Sequence, residues 1–243
     1  MNINFDGQVA LVTGGTRGIG WQMAQDFERL GAKVWVTGTS PVKPAHLSER
    51  NFEYIAVDFS IEQQVQIFLE KLKTLDRLDI CVNNAGINRI NPLQNIEAGD
   101  YRDMMAVNLD VPFKIIQTVA PIMQKRAYGR IVNISSIFGK ISMEKRTAYS
   151  MTKFGLKGLT VATSIELARQ GILVNTVSPG FTLTDLTRKN LKELEIEALS
   201  AQIPARRLAE VHEISHVVTF LCSRYNSYMC GQDVVVDGGF TNV

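Results

Sequence analysis

Short β-branched runs alternate with longer helical patterns along almost the whole chain of 243 residues. Strand runs such as Val-Ala-Leu-Val and Ile-Val-Asn-Ile are nearly continuous apolar segments, typical of strands that are covered on both faces. Strands that alternate with helices through right-handed crossovers form a parallel sheet between two helical layers. The alternation therefore predicts an α/β fold with one doubly wound parallel sheet, and we interpret residues 1–243 as a single domain.

The predicted elements follow these runs. Strands are expected at 9–13, 33–37, 52–57, 79–83, 130–135, 173–178 and 234–237. Helices are expected at 19–30, 61–75, 101–125, 148–169 and 211–221, the third of them bent near 108–112 because Pro112 disrupts a helix interior. Between Pro179-Gly180 and Pro204 we expect polar and helical residues without a strand. Because open α/β sheets bind ligands beyond the carboxyl ends of their strands, residues 181–205 are interpreted as a substrate lid rather than an ordinary helical excursion.

Composition and charge exclude several classes of protein. With 45% hydrophobic and 21% charged residues the chain can bury a full core. The net charge of +2 is too small to indicate a nucleic-acid or membrane partner. Three cysteines without a Cys-x-x-Cys pair are typical of a reduced protein. We find no signal peptide and no apolar run near the ~18 residues that span a bilayer, so a soluble cytoplasmic protein is expected.

A glycine-rich turn, Gly14-x-x-x-Gly18-x-Gly20, lies between the first predicted strand and the first helix. Glycines permit a tight turn with close backbone approach, and the helix N-terminus offers free N–H groups to a pyrophosphate. Thr16, Arg17 and Ile19 complete the turn. A glycine-rich turn at the first strand–helix junction predicts a Rossmann-like dinucleotide site.

The charge pattern beyond the turn selects the dinucleotide. A cofactor without a 2′-phosphate is usually held by an Asp or Glu about 20 residues further on. Here the second strand leads into Thr39-Ser40, and no carboxylate occurs from residue 31 to residue 48. Arg17 can bind a phosphate bidentately and the two hydroxyls can add hydrogen bonds. NADP(H) is therefore favoured over NAD(H), the alternative for Arg17 being a solvated loop cation.

Tyr149 and Lys153 are four residues apart, and Ser136 precedes the tyrosine by thirteen residues. Positions i and i+4 share one helix face, so the phenol and the ammonium can point into one pocket. A neighbouring cation favours the phenolate and lowers the pKa of a tyrosine. Such a group can exchange a proton with a carbonyl oxygen near neutral pH. Tyr-x-x-x-Lys often arises by chance, so alone it is weak evidence for a catalytic site. Its occurrence in the same chain as the glycine-rich turn strengthens that interpretation.

Taken together, the motifs resemble those of the short-chain dehydrogenase/reductase family from end to end. The matching segments occur in the family's order and spacing: Thr13-Gly14-x-x-x-Gly18-Ile19-Gly20, Asn83-Asn84-Ala85-Gly86, Val107-Asn108-Leu109, Ile134-Ser135-Ser136, Tyr149-x-x-x-Lys153 and Ser178-Pro179-Gly180. The resemblance implies an NADP(H)-dependent oxidoreductase that acts on a small-molecule carbonyl or alcohol. It also implies a homo-oligomer, usually a tetramer or a dimer.

The resemblance implies four catalytic residues. Tyr149 would be the acid/base, and Lys153 would lower its pKa and hold the nicotinamide ribose. Ser136 would hydrogen-bond the substrate oxygen; Ser135 competes for this role, and the spacing to Tyr149 favours Ser136. Asn108 would help to hold a water that relays protons to Lys153.

It also implies a set of cofactor contacts. Asp58 and Phe59 would frame the adenine, and Asn84, Ala85 and Gly86 would line the adenosine ribose. Thr39 and Ser40 would join Arg17 at the phosphate, while Pro179, Gly180, Thr182 and Thr184 would touch the nicotinamide end.

Within the family the chain is most similar to 3-oxoacyl-[acyl-carrier-protein] reductases, in Gly-Phe-x-x-Thr-Asp after Pro179 and in the Arg17 and Thr39 pattern. Members that dock an acyl carrier protein commonly carry basic residues at the positions of Ala127 and Gln170. Here the basic residues fall one place earlier, and the segment 140–146 is charged where a hydrophobic substrate would need apolar walls. A polar or anionic substrate, such as a sugar derivative in polysaccharide biosynthesis, is the alternative.

Two other functions have some support in the sequence. His212-Glu213-x-x-His216 matches a zinc-protease arrangement, but no His or Glu follows it as a third ligand, so no metal site is expected. A nonenzymatic dinucleotide-binding protein would need none of the proton chemistry. That class is an alternative because a fold alone never proves a function, and the presence of Asn108, Ser136, Tyr149 and Lys153 argues against it.

Overall fold

A seven-stranded sheet organises the computed structural model of the chain, which describes residues 2–48, 50–190 and 192–243. The strands are β1 (Val9–Val12), β2 (Lys33–Gly38), β3 (Phe52–Ala56), β4 (Ile80–Asn83), β5 (Gly129–Ile134), β6 (Ile172–Pro179), β7 (Thr182–Leu183), β8 (Ala209–Glu210) and β9 (Asp233–Val236). The helices are α1 (Gly18–Arg29), α2 (Ala45–Ser48), α3 (Glu62–Lys73), α4 (Ala98–Met105), α5 (Val111–Gln124), α6 (Thr147–Leu167), α7 (Asp185–Asn190), α8 (Glu193–Ala201) and α9 (Val211–Cys222).

The sheet has the order β3-β2-β1-β4-β5-β6-β9, and all six pairings in it are parallel. Helices α1 and α9 cover one face, where Phe27 and Val218 belong to one apolar core. Helices α3, α5 and α6 cover the other, where Phe68 and Ile115 belong to a second core. The central strands β4, β5 and β6 are fully buried, which explains their continuous apolar sequences. The doubly wound parallel sheet predicted from the sequence is confirmed.

The strand order reverses beside β1, which pairs with β2 on one side and with β4 on the other. Because all the strands are parallel, their carboxyl ends meet at one edge, and the loops that leave β1 and β4 separate in opposite directions there. This switch point places the glycine-rich turn opposite the segments that carry the predicted catalytic residues.

The segment after β6 corrects the expectation that it holds no strand. Thr182–Leu183 forms a short parallel pair with Ala209–Glu210, outside the main sheet. Periodicity cannot detect a two-residue strand, because its pairing depends on a partner more than twenty residues away. Helices α7 and α8 follow β7, and Leu191 of the predicted lid lies outside the described residues.

The irregularity in the long helical region has a different form from the one expected. A π-helical turn, Ala106–Asp110, separates α4 from α5. Pro112 lies in the first turn of α5, where its ring is tolerated. The bend is therefore a π-turn next to the proline, and such turns are frequent at functional sites.

Candidate active site

The glycine-rich turn is fastened to the end of β4 by a network around Thr13. The Thr13 hydroxyl accepts hydrogen bonds from the backbone N–H groups of Asn84 (2.9 Å) and Ala85 (3.0 Å). In return the Asn84 side-chain amide donates to the carbonyl oxygens of Thr13 (2.9 Å) and Gly14 (3.2 Å). Asn84 and Ala85, predicted at the adenosine ribose, thus directly border the turn. Thr13 was not singled out as a site residue, although it immediately precedes Gly14.

Backbone shape shows why glycines occupy the turn. Gly14 and Gly18 have φ of +62° and +55°, in the left-handed region that side chains disfavour. A Cβ on Gly14 would also lie 3.0 Å from the Cα of Ala85, and one on Gly20 would lie 2.5 Å from the Asn84 amide nitrogen. Side chains at these two positions would therefore collide with the residues that follow β4, and the glycines allow the turn to pack against Asn84 and Ala85. The turn fits a dinucleotide pyrophosphate held by backbone N–H groups.

Three side chains predicted to recognise a 2′-phosphate lie near this turn. Arg17 is the exposed N-cap residue of α1, and Thr39 and Ser40 are exposed just after β2. Gly38 brings the end of β2 against the turn, because a Cβ there would lie 2.6 Å from the Thr16 methyl group. The His46 ring lies 3.0 Å from the Thr16 carbonyl oxygen and packs edge-on against Trp21.

The two residues predicted at the adenine differ in what they can offer. One carboxylate oxygen of Asp58 accepts hydrogen bonds from the Ser60 N–H (2.9 Å) and hydroxyl (2.7 Å). The Phe59 ring is buried in the core against Phe68, with ring centroids 5.4 Å apart. Only the backbone of Phe59 is therefore available for the predicted contact.

The predicted nicotinamide segment approaches the turn from the far side of the switch point. Gly180 continues from β6 and donates its N–H to the Val236 carbonyl oxygen, 2.9 Å away. The Thr182 hydroxyl donates to the Gly180 carbonyl oxygen at 3.1 Å. A Cβ on Gly18 would lie 3.6 Å from the Thr184 methyl group, so Thr184 faces the start of α1. Pro179, the last residue of β6, is buried at the same edge.

Tyr149, Ser136 and Lys153 converge at the carboxyl end of β5. The Ser136 side chain neighbours the Tyr149 phenol and acts to lower its pKa. The Lys153 ammonium lies 5.6 Å from the centroid of the Tyr149 ring and donates to the Ile134 carbonyl oxygen at 2.8 Å. A Cβ on Gly86 would lie 3.6 Å from the Lys153 nitrogen, so the end of the β4 motif adjoins this cluster.

The two adjacent serines have separate partners. The Ser135 hydroxyl donates to the backbone carbonyl oxygen of Lys153 at 3.1 Å, which ties β5 to α6. The Ser136 hydroxyl accepts from the Phe138 N–H at 3.2 Å, and its side chain is close enough to the Tyr149 phenol to lower the pKa of that group. The geometry therefore supports Ser136 rather than Ser135 beside the reacting oxygen.

Asn108 is fully buried in the π-turn and is held rigidly. Its side-chain oxygen accepts from the Ile87 N–H, and its amide donates to the Ile87 carbonyl oxygen, both at 2.8 Å. The amide also donates to the Thr152 hydroxyl at 3.1 Å. Thr152, which the sequence gave no reason to single out, thus connects Asn108 to the helix that carries Tyr149 and Lys153.

The pKa of Tyr149 shifts in the opposite direction to the one expected. Burial raises the pKa of the phenol, and this outweighs the lowering effects of the neighbouring Ser136 side chain and of the Arg146 charge. Burial also lowers the pKa of the Lys153 ammonium to about 8, which weakens the cation that was expected to stabilise a phenolate. At neutral pH the phenol is therefore protonated.

The zinc-like motif on α9 is used for helix capping. The Glu213 carboxylate accepts from both terminal nitrogens of Arg207, at 2.6 and 2.7 Å, and from the Glu210 N–H at 2.8 Å. These donors lower the pKa of Glu213 to about 2. His212 and His216 are exposed on the surface of the helix. In the described residues no cluster of three His, Cys, Asp or Glu side chains is suited to a metal ion.

Comparison with known proteins gives consistent results. A family model described as enoyl-(acyl carrier protein) reductase matches residues 14–241. The 3-oxoacyl-[acyl-carrier-protein] reductase FabG of Escherichia coli (strain K12) is 36% identical, with 98% of each chain covered. A gluconate 5-dehydrogenase from Burkholderia cenocepacia J2315, solved in complex with NADP and tartrate, has a TM-score of 0.90 at 32% identity, covering 99% of this chain and 97% of that one. A short chain dehydrogenase/reductase family protein has a TM-score of 0.90 at 30% identity, covering 98% of this chain and 100% of that one.

Proposed function

The chain belongs to the short-chain dehydrogenase/reductase family, and on this premise we propose that it is an NADP(H)-dependent oxidoreductase that interconverts a carbonyl and a secondary alcohol. The observation that carries the proposal is the convergence of the Tyr149 hydroxyl, the Ser136 side chain and the Lys153 ammonium at the carboxyl edge of the sheet. A protein that only binds a dinucleotide needs none of this arrangement.

The choice of NADP(H) rests on the residues around the glycine-rich turn. The turn leads directly into the N-terminus of α1, where backbone N–H groups can bind a pyrophosphate, and Arg17, Thr39 and Ser40 are exposed nearby to bind a 2′-phosphate. The likeness to a gluconate 5-dehydrogenase solved with NADP supports the same choice. The cofactor supplies a hydride to the carbonyl carbon when it is bound.

The protein supplies the proton and the geometry. Ser136 holds the carbonyl oxygen beside the Tyr149 hydroxyl, and the protonated phenol gives its proton to that oxygen as the alcohol forms. Lys153 and the water expected beside Asn108 return a proton to the phenol. Pro112 lacks the N–H that would bind the Asn108 carbonyl oxygen in a regular α-helix, and this supports a water contact there.

Two substrate classes are compatible with this chemistry. A 3-oxoacyl thioester is supported by the 36% identity to the Escherichia coli reductase. A polar or anionic sugar derivative is supported by the likeness to a gluconate 5-dehydrogenase solved with tartrate, and by the charged residue Arg146 beside the site. The Arg146 contact favours the second class.

The assembly, location and domain organisation belong to the same proposal. We infer a homotetramer or a homodimer, because α6 exposes the apolar side chains Met151, Phe154, Val161 and Ile165 at helical spacing.

A cytoplasmic location is supported by three free cysteines. None of the helices in the described residues has the length and apolarity to cross a membrane. We also propose one domain, with residues 181–205 as its substrate lid.

The decisive experiment replaces Tyr149, the proposed proton donor. Tyr149→Phe keeps the ring and removes the proton donor, so turnover should fall by ~10²-fold or more while NADPH affinity is retained. Turnover is measured as NADPH consumption with 3-oxoacyl thioesters, simple ketones and oxidised sugars, and affinity by fluorescence titration. Tyr228→Phe makes the same change on a ring that is 97% exposed and serves as the control. Near-normal turnover in folded Tyr149→Phe would contradict the proposal.

A further inference from the structure

Arg146 lies at the edge of the candidate active site, three residues before Tyr149. Its guanidinium carbon is 5.2 Å from the centroid of the Phe138 ring. The Phe138 ring packs edge-on against Tyr149 and against Phe181, with centroid distances of 6.3 and 6.4 Å. The guanidinium therefore adjoins an aromatic wall that runs from the proton donor to the first residue of the predicted lid.

The charge of Arg146 has no counterion in the described part of the chain. The residue is partly buried, and within residues 2–48, 50–190 and 192–243 its side chain forms no ion pair and donates no hydrogen bond. Burial lowers the pKa of Arg146, and the Tyr149 phenol is the one titratable group that acts in the opposite direction. Removing a cation from water is costly unless an anion compensates it. A carboxylate is one of the anions, with phosphate, that a guanidinium binds bidentately.

The backbone fixes the position of this cation. Lys145 has φ of +64°, a left-handed conformation that is strained for a lysine. The turn ends at Arg146, which is the N-cap residue of α6 and accepts a hydrogen bond from the Ser150 N–H at 2.7 Å. The Arg146 side chain therefore extends from the N-terminus of a 21-residue helix. The helix dipole stabilises negative charge at this end.

We propose that Arg146 binds a substrate carboxylate and that the substrates are hydroxy acids and the corresponding oxo acids. This inference rests on the proposed function, because the reacting carbonyl is placed at Ser136 and Tyr149. The carbon chain between the two groups packs against Phe138 and Phe181. A neutral acyl chain offers no partner for the guanidinium, so carboxylic acids are preferred over their esters.

The test compares matched acids and esters. Acetoacetate and levulinate, each with its methyl ester, are reduced with NADPH by wild type, Arg146→Gln, Arg146→Lys and Lys145→Asn. Lys145→Asn removes the same charge from the neighbouring residue, and asparagine tolerates the left-handed conformation. Because a charge-assisted contact is lost, kcat/KM of Arg146→Gln should fall by about 10- to 100-fold for the acids and by much less for the esters. Arg146→Lys should be intermediate, and Lys145→Asn should match wild type. Equal losses on acid and ester would overturn the proposal.

A binding measurement separates this inference from the proposed function. Calorimetry with 3-hydroxybutyrate and the NADP⁺-saturated protein requires no turnover. Binding to wild type and Lys145→Asn, with affinity lost in Arg146→Gln, supports the carboxylate site even if none of the four carbonyl compounds is reduced. Failure of reduction by wild type would count against the proposed function, whereas absent or equal binding in all three proteins would overturn the role of Arg146.

Discussion

At the scale of single residues, burial drives the two titratable groups of the site towards their neutral forms. It raises the pKa of the Tyr149 phenol and lowers the pKa of the Lys153 ammonium to about 8. A neutral phenol is the form that donates a proton, so the free site is prepared for carbonyl reduction. Oxidation of an alcohol needs the phenolate and should therefore become faster as the pH rises.

Lys153 should also make stability depend on pH. Its pKa is about 8 in the folded protein against an ordinary value of 10.5, so the unfolded chain holds the proton more tightly. The free energy of unfolding should therefore rise between pH 8 and pH 10.5 through this group. Lys153→Met removes this rise and abolishes turnover.

Urea unfolding at pH 7, 8, 9 and 10 measures the free energy of unfolding as a function of pH for wild type and for Lys153→Met. The wild type should gain stability relative to Lys153→Met above pH 8. Lys157→Met, which removes a lysine elsewhere on α6, is the matched control. Parallel profiles for wild type and Lys153→Met would show that burial of Lys153 carries no such cost.

Arg17 should determine the choice of cofactor. A charge-assisted contact contributes ~1.5–3 kcal/mol, so Arg17→Ala should weaken NADPH binding by roughly 10- to 150-fold and leave NADH nearly unchanged. Fluorescence titration of both cofactors measures the effect. Lys33→Ala, at the opposite end of β2, is the control. Equal weakening of both cofactors, or a wild type that prefers NADH, would contradict the reading of the turn.

At the scale of elements, α6 serves two functions on different sides. Its buried side carries Lys153 and the Thr152 contact to Asn108. Its outer side carries the exposed apolar stripe, and a Cβ on Gly158 within that stripe would meet nothing within 4 Å. Because α6 carries both this exposed apolar stripe and Tyr149, contacts made by the stripe in an oligomer would affect the position of Tyr149 in the site.

Charges on this stripe should dissociate the proposed oligomer. Val161→Glu with Ile165→Glu would bury two unpaired carboxylates in the proposed interface, which is unfavourable. Sedimentation velocity should show a smaller assembly with unchanged helix content by circular dichroism. Gln170→Glu, which adds an exposed carboxylate just beyond the helix, should leave the mass unchanged. An unchanged mass in the double variant would place the interface elsewhere.

At the scale of the whole molecule, the strand order brings the site together. The glycine-rich turn follows β1, Gly86 follows β4, Ser136 follows β5 and Gly180 follows β6. These strands are consecutive neighbours in the order β1-β4-β5-β6, so segments far apart in the sequence meet at one edge. The cofactor contacts predicted from separate motifs are adjacent for this reason.

The amino-acid sequence by itself determined the strand pattern, the position of the glycine-rich turn and the pairing of Tyr149 with Lys153. These features depend on local periodicity, on the conformational freedom of glycine and on helical spacing, which are properties of neighbouring residues. The seven main strands were accordingly predictable, and so was an irregularity before Pro112.

Only the tertiary structure decided the direction in which the pKa of Tyr149 shifts and the separate partners of Ser135 and Ser136. The same holds for the burial of the Phe59 ring and for the pairing of β7 with β8. Each depends on atoms that approach from distant parts of the chain. Arg146 illustrates the same limit: the sequence showed a charged segment, whereas its contact with Phe138 and its lack of a counterion among the described residues emerged only once the chain was folded. Desolvation and contact are properties of the packed molecule, and local sequence does not encode them.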